Sequence, residues 1–210
     1  PHILLDSVRG AGNDKELQPD DTTVEGGTSA DADGYISAFT SDGFTLTIGS
    51  SGDHYTNETG RTFVAWCWKS GGGSTSTNDD GNIDSTITVD TNAGFSILTW
   101  SGDSSASATV GHGLGVAPGL IICKEINGTD YWHVFHKSLT ANNNIFPNAN
   151  LAQTAASDGV LASVGSSTFG FYDGGSGVVA VNETGKNNVA WCFAEKQGFS
   201  KFGVYDGNGD

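Results

Sequence analysis

Asn57-Glu58-Thr59-Gly60-Arg61-Thr62-Phe63-Val64-Ala65-Trp66-Cys67-Trp68 returns 125 residues on as Asn182-Glu183-Thr184-Gly185-Lys186-Asn187-Asn188-Val189-Ala190-Trp191-Cys192-Phe193. The same offset carries Ser41, Phe44 and Leu46 onto Ser166, Phe169 and Phe171. Gly94-Phe95-Ser96 recurs as Gly198-Phe199-Ser200, and His2-Ile3-Leu4 with Ser7 as His133-Val134-Phe135 with Ser138. Trp and Cys are rare, so chance does not explain their recurrence in this order. The chain reads as two diverged copies of one unit, residues 1–108 and 109–210, and such repeats decide architecture first. On this reading the two Trp-Cys segments occupy like environments. The repeated residues are apolar strand formers rather than acids, bases or nucleophiles, which favours a building block over an enzyme.

Strand candidates follow from apolar alternation. They are residues 2–7, 34–39, 43–48, 63–68, 85–89, 95–100, 120–124, 132–136, 160–164, 168–172, 178–181, 188–193 and 201–205. In 63–68, Val64, Trp66 and Trp68 share one face and Phe63, Ala65 and Cys67 the other, which makes it the strongest strand pattern in the chain. Short strands at roughly 8–12-residue spacing predict an all-β fold, an antiparallel sandwich of jelly-roll or concanavalin-like type, in two related tandem units. No amphipathic stretch of helical length separates the strands, so helix is minor; a helical turn is expected near 138–143.

The copies differ in two places. From Cys67 to Gly94 the chain takes 27 residues, from Cys192 to Gly198 only six, so copy one carries a 21-residue insertion within 69–93. Its Gly/Ser/Thr/Asn/Asp composition predicts an exposed, mobile loop over 70–80. Copy two opens with Val110-Gly111-His112-Gly113-Leu114-Gly115 and the aliphatic run 120–124, whereas copy one has no equivalent before His2. Copy one thus lacks its front strand. The start at Pro1 and the stop in Asp206-Gly207-Asn208-Gly209-Asp210 read as cuts in a longer protein.

Composition narrows function. A net charge of −15, with nine basic residues, repels phosphate backbones and anionic lipid, so neither nucleic acid nor membrane insertion is expected. No apolar run reaches the ~20 residues of a membrane span. Three cysteines without close spacing (Cys67, Cys123, Cys192) give neither a disulfide framework nor a zinc site; Cys67 and Cys192 read as small buried hydrophobes of one repeated strand.

No catalytic residue is nominated. Histidines and serines coexist, but no strand–G-x-S-x-G–helix elbow is present. Glycosidase carboxylates should flank a cleft; here Asp20, Asp21, Glu58 and Glu183 lie in turns. No resident cofactor is expected. Calcium is the strongest chemical alternative, at Asp31 and Asp33, at Asp79, Asp80 and Asp84, or in Asp206-Gly207-Asn208-Gly209-Asp210, though no twelve-residue loop with its terminal Glu is complete. His112 stands alone, and His133 and His136 point to opposite strand faces, so they are poor joint ligands. Asn57, Asn127 and Asn182 open glycosylation-type triplets but read as turn residues. Trp68, Trp100, Trp132 and Tyr172 are the candidate platforms for stacking a sugar.

Leu5-Asp6-Ser7-Val8-Arg9-Gly10-Ala11-Gly12, Ser41-Asp42-Gly43-Phe44-Thr45-Leu46 and Val64-Ala65-Trp66-Cys67-Trp68-Lys69 resemble a tandem β-rich repeat domain family of marine bacteriophage tail and fibre proteins. The likeness continues through Gly94-Phe95-Ser96-Ile97, Val110-Gly111-His112-Gly113-Leu114, His136-Lys137-Ser138-Leu139 and Gly198-Phe199-Ser200-Lys201-Phe202-Gly203. The resemblance implies a virion structural protein of tail, fibre or capsid-decoration type, located in the extracellular particle and acting in assembly and host attachment. It implies other virion subunits as partners, a homo-oligomeric state, and no assigned activity. A carbohydrate-binding module recognising host surface glycans is the alternative.

Overall fold

The computed structural model describes residues 2–27, 30–52, 54–150, 154–155, 160–172 and 180–208. Among them, β1 (Tyr35–Phe39) and β2 (Phe44–Thr47) form an antiparallel hairpin just after the single helical turn α1 (Ala30–Asp33). Then come β3 (Ser76–Asn78), β4 (Ser85–Asp90), β5 (Phe95–Ser101), β6 (Thr109–Gly111), β7 (Leu120–Glu125) and β8 (His133–His136). After the two-residue strands β9 (Asn143–Asn144) and β10 (Thr154–Ala155) follow β11 (Val160–Val164), β12 (Thr168–Tyr172) and β13 (Asn187–Phe193). The protein is all-β with antiparallel sheets, as its alternating apolar pattern predicts.

A six-stranded sheet, in the order β3-β4-β5-β13-β7-β8, dominates. β13 lies at its middle, with Phe193 opposite Phe95 on one side and Leu120 on the other. Strand alternation sends β13 residues to two cores. Ala190 and Cys192 join Leu98, Trp100, Ile121 and Cys123 in a cluster that also takes Val110, Leu161, Phe169 and Phe171 from the three-stranded sheet β11-β12-β6. Val189 and Trp191 face the other way, onto Phe95, Ile97, Leu17 and Trp132. The amino-terminal segment covers that second face: Leu4 and Leu17 exchange two backbone hydrogen bonds of 2.9 and 3.1 Å.

The hairpin β1–β2 repeats β11–β12 in register. Tyr35, Ile36 and Phe39 sit opposite Thr47, Leu46 and Phe44. The residues 125 further on, Val160, Leu161 and Val164, sit opposite Tyr172, Phe171 and Phe169. Both pairs slip register between the second and third of these positions. The Asn-Glu-Thr-Gly turns agree too. Gly60 and Gly185 both have φ of 81°, a left-handed value that glycine tolerates best. Arg61 N–H donates to the Glu58 carbonyl at 3.1 Å and Lys186 N–H to the Glu183 carbonyl at 3.0 Å.

After the turn the likeness ends, and the expectation of like environments is corrected. Residues 187–193 form a largely buried strand, whereas 61–70 form no strand. Trp66 is 78% exposed against 5% for Trp191, and Cys67 is exposed where Cys192 is buried. The cause is non-local. β13 has a partner on each edge, β5 and β7, whereas no strand among the described residues pairs with 61–70. An alternating apolar sequence supplies a face, but a strand also needs a ladder.

Four further expectations are corrected. The insertion is not a free loop: Ser76, Thr77 and Asn78 pair with Ile87, Thr86 and Ser85, and the buried Ser70 hydroxyl donates to the Thr88 carbonyl at 3.2 Å. Residues 201–205 form no strand. Residues 138–143 make turns rather than helix. Of the expected strand at 178–181, the first two residues lie outside the described residues, and Val181 is buried in a turn. The sequence boundary at 108/109 falls inside one sheet system, since β3, β4 and β5 share a sheet with β13, β7 and β8.

Candidate functional site

Two apolar segments stand outside the sheets, and they are the chain's candidate interaction surface. The first is 62–69. Phe63, Val64, Trp66 and Trp68 are all exposed, and among the described residues 62–69 makes no backbone–backbone hydrogen bond. At its end the Trp68 ring meets Phe193 edge-on at 6.1 Å, and Phe193 stacks on Phe95 at 4.7 Å. The second segment follows Gly198. The Ser200 hydroxyl donates to the Ala194 carbonyl at 2.9 Å and Phe202 N–H to Glu195 Oε1 at 2.9 Å, anchoring the start of the tail. Beyond that anchor Val204 and Tyr205 are exposed, as is Phe199 before it. Extended segments with open backbone groups and apolar side chains are templates for pairing with another strand. Sequence reasoning placed Trp66 and Val204 in strands and so missed their exposure. The available signal was the lack of flanking strand motifs around 63–68.

The four aromatic sugar-platform candidates are not brought together. Trp100 and Trp132, 4% and 1% exposed, are core residues and are corrected as surface platforms. Trp100 packs against Phe169 and Phe171 at 5.6 and 6.0 Å. Trp132 stacks on Trp191 at 5.7 Å, and its Nε1–H is shared between the Gln18 and Asp21 carbonyls, each at 3.0 Å. A ring enclosed on both faces has no face to offer a ligand. Trp68 and Tyr172 are exposed, one on the unpaired segment and the other at the end of β12.

Among the described residues no three His, Cys, Asp or Glu side chains converge as a metal site. Asp31 and Asp33 lie on α1, where Asp31 accepts a hydrogen bond from Asn13 Nδ2. Asp80 accepts from Asn78 Nδ2 at 3.1 Å, a local turn contact, and Asp84 lines a groove to which Asp79 and Asp80 do not contribute. That groove, of about 490 Å³, runs past Arg9, Glu25, Thr99 and Asn187. Arg9 is committed within it: Nε bonds Asp6 Oδ2 at 2.6 Å, Nη1 bonds Glu25 Oε1 at 2.7 Å, and the guanidinium lies 5.7 Å from the centre of the Trp191 ring. These contacts staple the amino-terminal segment to the sheet.

The histidines are structural. His112 is fully buried; its Nδ1 accepts from Leu114 N–H at 3.3 Å, so Nε2 carries the proton given to the Gly165 carbonyl at 3.2 Å. Burial pushes its pKa down, so the neutral ring is the folded form. His133 is buried against Phe146, and His136 accepts from Ser138 N–H. Lys124, also buried, donates to the Glu125 and Gly128 carbonyls at 2.6 and 3.0 Å, and burial lowers its pKa. Burial raises the Cys123 and Cys192 thiols, which suits inert core residues. Asn182 and Asn127 are tied into turns through Asp103 and Gly185, at 2.8 and 3.2 Å. No helix among the described residues is long and apolar enough to cross a membrane.

Fold and surface together define an all-β protein with a closed core and two open apolar segments. Its whole length, residues 1–210, matches one family, and the chain belongs to that family, described as a domain of unknown function (DUF7483). No curated protein matches the chain. No solved structure matches it either.

Proposed function

We propose that this chain is a structural module of a bacteriophage virion, of tail, fibre or capsid-decoration type, built from two related repeats around one β-sandwich core and acting in assembly and host attachment. The observation that carries the reading is the set of exposed apolar side chains on 62–69 and on the tail, Phe199, Val204 and Tyr205. Exposed apolar patches rimmed by polar residues are marks of interaction surfaces. The register shared by β1–β2 and β11–β12 supports two related units, and the core shared by the six- and three-stranded sheets supports the sandwich. The resemblance to tail and fibre repeats supports the virion as the setting. The module works by shape and association rather than by catalysis. Gold-labelled antibody against residues 1–210, applied to purified phage particles whose genome encodes the chain, should decorate one part of the tail or capsid. Intact particles free of the chain by labelling and mass spectrometry would sink the virion reading.

The exposure of Trp68 and Tyr172 favours a second role, recognition of host surface glycans. A glycan array should then show binding that is lost in Trp68→Ala, with the far-ultraviolet spectrum unchanged; an array without any signal removes this role and leaves assembly.

A further inference from the structure

We propose that the outer edge of β2 takes up a strand of the β6 pattern, contributed by a partner chain built on the same repeat. The template is inside the chain. β1–β2 and β11–β12 are the same hairpin 125 residues apart, with matching registers. In the second copy a third strand completes it: β6 runs antiparallel along β12, with Gly111, Val110 and Thr109 opposite Thr168, Phe169 and Gly170. The contact runs one residue further, since His112 N–H donates to the Ser167 carbonyl at 3.0 Å. In the first copy that place is open. Among the described residues β2 pairs with β1 alone. Phe44 and Leu46 are both 36% exposed, whereas their counterparts Phe169 and Phe171 are 0% and 6% exposed.

The hydrogen-bonding phase of β2 matches that of β12. Thr40 N–H donates to the Gly43 carbonyl at 2.9 Å, as Gly165 N–H does to the Thr168 carbonyl at 2.8 Å. Backbone groups alternate along an antiparallel strand, so Gly43 and Thr45 turn theirs inward to β1 while Phe44 and Leu46 turn theirs outward. Ser167 and Phe169 present theirs to β6 in the same way. Carrying the second copy's register across places a glycine opposite Gly43, a valine opposite Phe44 and a threonine opposite Thr45. Charge permits the contact: the chain carries −15 overall, yet residues 43–48 and 106–111 carry none, so no like charges meet across the new pair. The occupant is not this chain's own β6, which is engaged on β12. A strand added to a sheet edge gains affinity from main-chain hydrogen bonds and specificity from its alternate side chains.

This inference rests on the assembly reading and says what form the partner's contact takes. A fluorescein-labelled peptide of residues 106–116 serves as the donor strand, and its anisotropy should rise saturably on titration with the whole chain. Leu46→Pro removes one outward N–H but leaves the ladder to β1 intact, because proline is tolerated where an edge N–H faces solvent. It should weaken binding about tenfold, the upper end of what one hydrogen bond contributes. Phe44→Asp, which sets a charge opposite the valine, should abolish binding, as should Val110→Asp in the peptide. Circular dichroism checks that both chain variants stay folded. A second measurement needs no variant: adding the peptide to the wild-type chain should slow exchange of the Phe44 and Leu46 amide protons, read by NMR. A peptide that fails to bind the wild-type chain overturns the proposal. So does binding that neither protects those two amides nor responds to the two substitutions, which would put the peptide elsewhere, as on β12 in exchange for β6. Neither result touches the virion reading, which particle labelling decides separately.

Discussion

Truncating the same residue of the repeated motif in its two settings gives the sharpest measure of what the sheet contributes. Trp191 is sandwiched by Trp132 and the Arg9 guanidinium, each 5.7 Å away, and its neighbours Val189 and Ile97 are buried. Burying a Trp removes about 150–250 Å² from water. At about 25 cal/mol per Å² that is worth roughly 4–6 kcal/mol before the Ala that remains is credited. Cavity-forming Phe or Trp to Ala changes measure about 3–5 kcal/mol, so Trp191→Ala should cost about 4 kcal/mol. With an m-value of about 2 kcal/mol/M, the urea midpoint falls by about 2 M. Trp66→Ala should change stability by less than about 0.5 kcal/mol, as exposed positions do. Equal losses at the two positions would mean that residue 66 is packed as residue 191 is, and the account of an unpaired first segment would fail.

His112 is neutral when folded, with its pKa below the ordinary 6.5. The unfolded chain therefore binds more protons as pH falls through 6.5, and stability drops until the folded pKa is reached. His112→Gln should flatten that acid slope, read as urea midpoints at pH 5 and 7. Lys124→Met removes both donors to the Glu125 and Gly128 carbonyls and should cost about 2–3 kcal/mol through unpaired buried acceptors; a neutral or stabilising result would show that those carbonyls find other partners. In dilute native solution one thiol, Cys67, should react promptly with a disulfide reagent, and all three only in denaturant; three fast native thiols would contradict the buried positions of Cys123 and Cys192.

Local alternation made most of the sheet legible. β11 and β12 fall on the expected 160–164 and 168–172, and β4, β5, β7, β8 and β13 lie within a residue of theirs. The polar strand β3 was not legible. Ser76-Thr77-Asn78 has the composition of a linker, and only its place at the sheet edge beside β4 makes it a strand. Residues 63–68 failed in the opposite sense, since their pattern is better than that of β3 yet no strand among the described residues pairs with them. Burial was harder to read than strand character. Nothing in the local sequence separates Trp132, whose indole N–H is capped by carbonyls over a hundred residues away, from the exposed Trp68. The interaction surface was therefore visible as a repeat but not as an exposed one, because exposure depends on which copies of a motif find each other in space.

That dependence has an energetic consequence. Covering one large apolar side chain is worth about 1.5–3 kcal/mol. Phe63, Val64, Trp66 and Trp68, between 47% and 78% exposed, together leave unrealised roughly 4–8 kcal/mol, which is comparable to a small domain's whole stability. The closed core can tolerate this because its own strands are complete. An isolated chain, however, carries an aggregation hazard that proteins usually blunt with charge at the edge. Here the charge stands at the ends of the segment, Arg61 before it and Lys69 after it, and the five residues from Phe63 to Cys67 carry none. Flanking charges of this kind discourage sideways growth while leaving the middle open to one matched strand. Association itself costs about 4–15 kcal/mol in lost freedom, so a partner that buries part of 62–69 binds weakly and one that pairs along its length binds firmly.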